Sequence, residues 1–434
     1  MNTEPFHKRR LETLKRMGAG IAIVPTAPEQ TRNRDAQFPY RADSYALYLS
    51  GFTEPEAVVV LIAGEKNQSI LFCRDKNEER EIWDGYRYGP AAAADSFGFD
   101  AAYSITELDE KLVELMANQP TLYYAIGHDA GWDMRITQAL NGVRAQARAG
   151  KRAPENIRDI RAILDAQRLI KDASEITLMR RAGEISAEAH RRAMRATRPG
   201  KYEYEIEAEL LHEFRRQGCQ APAYTSIVAG GRNACVLHYV ENNQRLKDGD
   251  LLLIDAGGEL DGYASDITRT FPVNGRFSAA QRDMYQLVLD AQIAAINATK
   301  PGNTFHDPHE AAVKVLAQGM LDLKLLTGTL DEVLEQESYK RFYMHRTGHW
   351  LGLDVHDAGE YKDGDAWKPL EPGMVLTIEP GCYIRPADDV PAAFHNIGIR
   401  IEDDALVTAD GCDIITAATP KTVAEIEAVM AEGR

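Results

Sequence analysis

No apolar run in this chain approaches the ~20 residues a helix needs to cross a bilayer, so no membrane-spanning helix is expected. The first eighteen residues, MNTEPFHKRRLETLKRMG, are charged and amphipathic and lack the apolar centre of a secretory signal. Positive charge is in deficit: 50 Lys and Arg stand against 66 Asp and Glu, a net charge of −16. That balance argues against nucleic acid or an anionic membrane as partner. Cysteine is scarce. The five thiols, Cys73, Cys219, Cys235, Cys382 and Cys412, are odd in number, scattered, and form no C-x-x-C pair. They read as reduced thiols of a cytoplasmic protein. What remains is the composition of a globular protein of 434 residues, too long for one ordinary core, and two domains are expected.

The first 150 residues alternate helix and strand signals, as an α/β domain does. Glu4–Met17 and Ile105–Met116 read as helices; Ile21–Val24, Ala57–Ile62, Ile70–Cys73 and Leu122–Ile126 read as strands. Two polar-aromatic pieces, Phe38–Tyr45 and Ile82–Arg87, fit either plain loop packing or a surface used in assembly or substrate contact. Arg144–Pro154 suits a linker, and Ile157–Ile170 is expected to be helical. Asp172 and Glu175 form a capping box ahead of an apolar helix face, and Tyr202–Gln217 is a further helix stopped by Gly218. The domain boundary is placed at 165/166.

Beyond it the sequence repeats itself. Ala196-Thr197-Arg198-Pro199-Gly200 recurs as Ala298-Thr299-Lys300-Pro301-Gly302. Leu246-x-x-Gly249-x-x-Leu252-x-Ile254-Asp255-x-Gly257 recurs as Leu370-x-x-Gly373-x-x-Leu376-x-Ile378-Glu379-x-Gly381. Extra residues in the second copy are assigned to Gly328–Lys340. The pattern implies two helix-helix-strand-strand units about an approximate two-fold axis, with Asp255 and Glu379 equivalent: each is a carboxylate ending an apolar strand. Asp266 opens the run Ile267–Phe271, and the turn signals Gly257-Gly258 and Asp261-Gly262 could fold it back beside Asp255. Paired buried carboxylates repel unless a cation neutralises them.

Other candidates are few. Glu402 lies in Ile397–Asp403, read as one alternating strand with Arg400 and Glu402 on the same face. His345, His349 and His356 place three of the eleven histidines in one short segment, and His238 precedes the first carboxylate strand. Four carboxylates and one imidazole suit a dinuclear site for first-row divalent ions: oxygen ligands favour Mn2+, and the imidazole admits Co2+, Zn2+ or Fe2+. On spacing alone, Asp255 and Asp266 also fit solvated turn carboxylates, and His345 and His356 fit packed or surface histidines.

The order Asp255, Asp266, His349, Glu379, Glu402, with the motifs Ser265-Asp266-Ile267-Thr268-Arg269, Gly348-His349-Trp350-Leu351-Gly352, Thr377-Ile378-Glu379-Pro380-Gly381 and Gly398-Ile399-Arg400-Ile401-Glu402-Asp403, resembles the pita-bread metallopeptidases. That group comprises methionine aminopeptidase, prolidase and aminopeptidase P, with creatinase as a non-metal relative. Phe38-Pro39-Tyr40-Arg41 and Ser50–Ala57 resemble the N-terminal half of its aminopeptidase P branch. The resemblance implies a creatinase-like α/β domain (1–165), serving substrate access and oligomerisation, and a pita-bread α+β catalytic domain with a pseudo-two-fold repeat (166–434). It implies hydrolysis of the N-terminal Xaa-Pro bond of peptides through a metal-bridging hydroxide; prolidase-type cleavage of Xaa-Pro dipeptides is the alternative. The five ligands would hold two divalent ions, Mn2+ foremost with Co2+ or Zn2+ as alternatives, Asp266 and Glu402 bridging. Glu379 would also shuttle protons. His238, His345 and His356 would hold the scissile carbonyl and its oxyanion, and Arg400 would orient Asp255. Asp35 matches a residue that closes over the site, and Trp83 one that reaches a neighbouring subunit in a homotetramer, a dimer being the alternative assembly. The sequence departs from the pattern at Arg346, where the family has a small residue.

Overall fold

The computed structural model describes residues 3–433 and divides the chain into two compact units, Met1–Gln167 and Arg168–Arg434. The first unit is built on a six-stranded sheet in the order Ala101–Ser104, Gln68–Cys73, Val58–Ala63, Gly20–Pro25, Thr121–Tyr123, Asn156–Arg158. The three middle strands are antiparallel, and the outer pairings are parallel. Alternate side chains of these strands (Ile21, Ile23, Val58, Val60, Ile70, Phe72) bury against Leu108, Leu112, Met116, Ile136, Leu140 and Val143. Helices Leu108–Met116 and Ala130–Ala145 supply that covering layer.

Ile157 is not helical: Asn156–Arg158 pairs in parallel with Thr121–Tyr123, and the helix Arg161–Leu169 begins only after Asp159 accepts the Arg161 N–H at 2.9 Å. Sheet pairing, invisible to local periodicity, takes those residues first. Arg144–Pro154 is not an interdomain linker either. Arg144 and Ala145 complete a helix, and Asn118 clamps Arg152 through its own N–H (2.7 Å) and its side-chain oxygen (3.0 Å).

The second unit repeats one plan twice. In the first half, helices Ala173–Ala196 and Glu203–Arg216 precede strands Leu251–Asp255, Gly258–Leu260, Tyr263–Ala264 and Thr268–Pro272. In the second, helices Ala279–Ala298 and Asp307–Asp322 precede strands Val375–Ile378, Gly381–Ile384, Ile397–Arg400 and Asp403–Val407. The residues added to the second half form a short helix, Leu330–Glu335, and a 3-10 turn, Ser338–Arg341. Asp172 and Glu175 make the capping box. The outermost strands of each half pair antiparallel: Asp255 faces Thr268, and Ile378 faces Asp403. The inner strands pair separately, Leu260 with Tyr263 and Gly381 with Arg400. Asp261 and Gly262, both at positive φ (50° and 86°), make the two-residue turn between the first inner pair.

Each half therefore changes pairing partner midway, and the ladder breaks there. Asp266 stands in that break rather than opening the strand, which starts at Thr268. Ile397–Asp403 is likewise not one strand: it stops at Arg400 and resumes at Asp403, with Ile401 and Glu402 between. The two breaks are joined across the halves, the Glu402 N–H donating to Thr268 O at 3.1 Å and the Asp266 N–H to Asp404 Oδ2 at 3.1 Å.

Candidate active site

Strand ends are where a sheet can offer carboxylates without spending them in its own packing. Asp255 closes one strand, Asp266 precedes the next by two residues, Glu379 follows Ile378, and Glu402 precedes Asp403. Gly257 permits this convergence: a Cβ there would lie 1.7 Å from Ser265 O. The histidine segment is laid alongside Val375–Ile378 by Glu379 N–H to Thr347 O (2.8 Å), Thr377 N–H to His349 O (2.9 Å) and Leu351 N–H to Val375 O (3.0 Å). Gly348 makes room, since its Cβ would meet Thr377 O at 2.0 Å.

His238, Asp255, Asp266, His345, His349, His356, Glu379, Arg400 and Glu402 all line one cavity of about 450 Å3. Ligand atoms of Asp266, His349 and Glu402 lie within 4.8 Å of one another. His349 Nε2 is 3.4 Å from Asp266 Oδ2 and 3.6 Å from Glu379 Oε1. Its Nδ1 lies 2.9 Å from Trp350 O, an acceptor, so Nδ1 carries the proton and Nε2 is aimed at the carboxylates. Asp35 and Trp83 are not in this group. They belong to the first unit, Asp35 in the exposed turn between Thr31–Asn33 and Ala36–Gln37, Trp83 83% exposed on helix Glu78–Asp84.

Electrostatics mark the cluster as a cation site. Burial, then the neighbouring Asp266 and Glu379, push the Glu402 carboxyl well above its ordinary range. Burial pushes Glu379 up to about 7 against the opposing pull of His349 and Arg400. Asp266 is raised, chiefly by burial, and His349 is held at about 9 because Asp266 and Glu379 outweigh its desolvation. Protons are doing what a cation would do better: buried carboxylates at this density cannot all ionise without a counter-charge. Oxygen donors with one imidazole fit a hard-to-borderline divalent ion.

Tyr224 adds to the wall, and Tyr383 and Thr268 hold its ligands from behind; none of the three stands out as a site residue in the sequence. The Tyr224 hydroxyl donates to Asp255 Oδ1 at 2.6 Å and also touches Asp266 Oδ1. Thr268 donates to Glu402 Oε2 at 2.6 Å and accepts from Arg400 Nε at 3.2 Å. Arg400 donates to Asp255 Oδ2 at 2.6 Å and to Tyr383 OH at 3.0 Å. Tyr383 lies two residues beyond Gly381, which faces Arg400, so the Tyr383 and Arg400 side chains share a face, a pairing that the sequence does not signal.

The histidines differ. His356 packs against His349, ring centroids 4.0 Å apart and planes tilted by 44°, and burial lowers it to about 4. His345 is lowered to about 3, first by burial and then by Arg400. Its Nδ1 is 2.7 Å from Arg346 O and its Nε2 is 2.8 Å from Tyr383 OH. Both nitrogens are engaged, so His345 contacts a substrate directly only by releasing one of these partners.

Comparison with known proteins decides the lineage. Residues 177–409 match the model of "Metallopeptidase family M24", and residues 6–123 match that of "Aminopeptidase P, N-terminal domain". The chain is 44% identical to the Xaa-Pro aminopeptidase of Escherichia coli, covering 100% of this chain and 99% of that one. The chain belongs to metallopeptidase family M24. Among solved structures it is similar to aminopeptidase PepP of Pseudomonas aeruginosa (TM-score 0.98, 50% identity, 100% and 99% covered). It is equally close in fold to a Zn-substituted E. coli aminopeptidase P in complex with product (TM-score 0.98, 43% identity, 100% and 99% covered). The N-terminal creatinase-like domain and the duplicated pita-bread domain are thus those of an M24 aminopeptidase P. The chain is an enzyme, a metalloaminopeptidase.

Proposed function

We propose that this protein hydrolyses the N-terminal Xaa-Pro bond of peptides with a dinuclear metal centre held by Asp255, Asp266, His349, Glu379 and Glu402. The observation that carries the reading is the convergence of those four carboxylates and one imidazole on one cavity, in a chain that matches an Xaa-Pro aminopeptidase end to end. That full-length match favours Xaa-Pro aminopeptidase over prolidase. Two divalent ions, Mn2+ foremost and Co2+ or Zn2+ next, would supply Lewis acidity and an acidified water.

The chain's own groups do the rest. Asp266 and Glu402, in the paired strand breaks of the two halves, would each help to hold both ions. Arg400 positions Asp255 from behind at 2.6 Å. His238 and His356 hold the scissile carbonyl and its developing charge, and His345 fixes that wall through Tyr383. Proline carries no N–H to be bound as an ordinary residue's would be, so its ring is recognised by shape. Its nitrogen must gain a proton to leave, and Glu379, on the wall of the same cavity, is placed to relay one to it.

The first unit is proposed to serve substrate access, with Asp35 closing over the site, and assembly into a homotetramer or a dimer. Ile82, Trp83 and Tyr86 are 81%, 83% and 91% exposed, apolar surface that a subunit interface would bury. A cytoplasmic location is supported by five free thiols, four of them buried. Among the described residues no helix is long and apolar enough to cross a membrane.

The test is cleavage of Ala-Pro-Ala, Ala-Pro and Ala-Ala-Ala. Release of alanine from the first alone supports the reading. Turnover confined to Ala-Pro would make the enzyme a dipeptidase, and cleavage of Ala-Ala-Ala would remove the proline requirement.

A further inference from the structure

The catalytic cavity shares a wall, His345 and Arg346, with a second cavity of about 570 Å3. Arg346 is exposed, yet its guanidinium is held. Nη1 donates to His306 Nδ1 at 3.2 Å, and the guanidinium carbon lies 5.1 Å from the centre of the Trp367 ring. Arginine has no acceptor, so His306 Nδ1 must accept. The second His306 nitrogen therefore carries the proton and faces Glu310 Oε1 at 3.5 Å. The His306 ring is itself stacked on Trp367, 4.8 Å away and 15° from parallel. The guanidinium is thus oriented by two neutral rings, and among the described residues it makes no ion pair. Lys340, on the same cavity, is by contrast neutralised by Glu337 at 2.5 Å.

A cation fixed at a cavity rim and not neutralised is suited to an anionic ligand, and the planar fork of arginine matches a carboxylate. An aminopeptidase takes the N-terminal residue innermost, so the chain beyond the proline must leave the catalytic cavity past its rim. Resting on the Xaa-Pro reading above, we infer that Arg346 is a specificity-determining residue that binds a carboxylate of the peptide on the C-terminal side of the proline. The source is either the terminal carboxylate of a short peptide or an acidic side chain. An arginine that only packed on Trp367 would leave rates indifferent to substrate charge.

The experiment compares kcat/KM for Ala-Pro-Ala amide, Ala-Pro-Ala with a free C-terminus, Ala-Pro-Glu amide and Ala-Pro-Gln amide, on the metal-loaded enzyme. At least one carboxylate peptide is expected to exceed its neutral counterpart about tenfold, mainly through KM, as a charge-assisted hydrogen bond allows. The free-terminus and glutamate arms tell the two sources apart. The preference should shrink with added salt and fall to about one in both Arg346→Gly and Arg346→Gln. Wild-type ratios of one, or ratios unchanged in either folded variant, overturn the inference while cleavage of the neutral peptides leaves the Xaa-Pro reading standing. Failure of the wild-type enzyme to cleave any of the four overturns both.

Discussion

Tyr224 ties Asp255 to Asp266 from inside the cavity wall. Its hydroxyl is held far above its ordinary range by burial and then by those two carboxylates, so it remains a donor. Removing it leaves both carboxylates in place but less well oriented. Tyr224→Phe is expected to weaken divalent-ion binding about 10- to 100-fold with the fold intact, measured by competition with a chelator; an unchanged affinity would make the contact incidental. His190 behaves differently. It is fully buried, its Nε2 donates to Ala256 O at 3.0 Å, and its Nδ1 is without a hydrogen-bond partner. Burial lowers it from 6.5 to about 4. Between those values the unfolded chain takes up a proton that the folded chain refuses. Its contribution is therefore complete above pH 6.5 and is lost as pH falls toward 4, by about 3 kcal/mol at most. His190→Gln should flatten the slope of urea-unfolding free energy across that window at fixed metal load. An identical slope would assign the acid sensitivity to other groups.

At the scale of elements, the site exists because each half of the repeat breaks its ladder, and that break depends on close backbone approach. Gly257→Ala would drive a methyl into Ser265 O, 1.7 Å from its ideal position. The strand break must open to admit it, so a loss of roughly 3 kcal/mol or more is expected, on the scale of buried overpacking, with metal content falling in parallel. Calorimetric unfolding checks the first and elemental analysis the second; a variant with native stability would show that the break relaxes freely. The same elements explain what was legible in sequence. Asp255 and Glu379 could be found because each ends an apolar run and the two runs repeat. Tyr224 could not, since nothing near Ala221-Pro222-Ala223 signals that the chain turns back to a strand end. The break at Ile401-Glu402 reads as continuous strand in the sequence because its alternation persists while its pairing partner changes. Ile157 read as helical for the opposite reason: its neighbours have helical spacing, but Thr121–Tyr123 captures its backbone.

For the whole molecule, we propose that duplication builds one centre from two half-sites. Asp255 and Asp266 come from the first half, Glu379 and Glu402 from the second, and His349 from the segment laid against the second. Cross-half links hold the seam closed, among them the buried pair of Arg269 with Asp403 at 2.7 Å and the Arg269 donation to Glu402 O at 2.5 Å. A ligand shared by two ions, as Asp266 is proposed to be, would serve both, so its loss would not empty one half-site alone. The most direct test is the metal-to-protein ratio of wild-type protein and of Asp266→Ala after Mn2+ loading and desalting, with folding verified by circular dichroism. About two ions per chain are expected for the wild type, as a two-metal site requires, and near none for the variant. A folded Asp266→Ala that still holds two ions, or a wild type that holds none, would contradict the proposal.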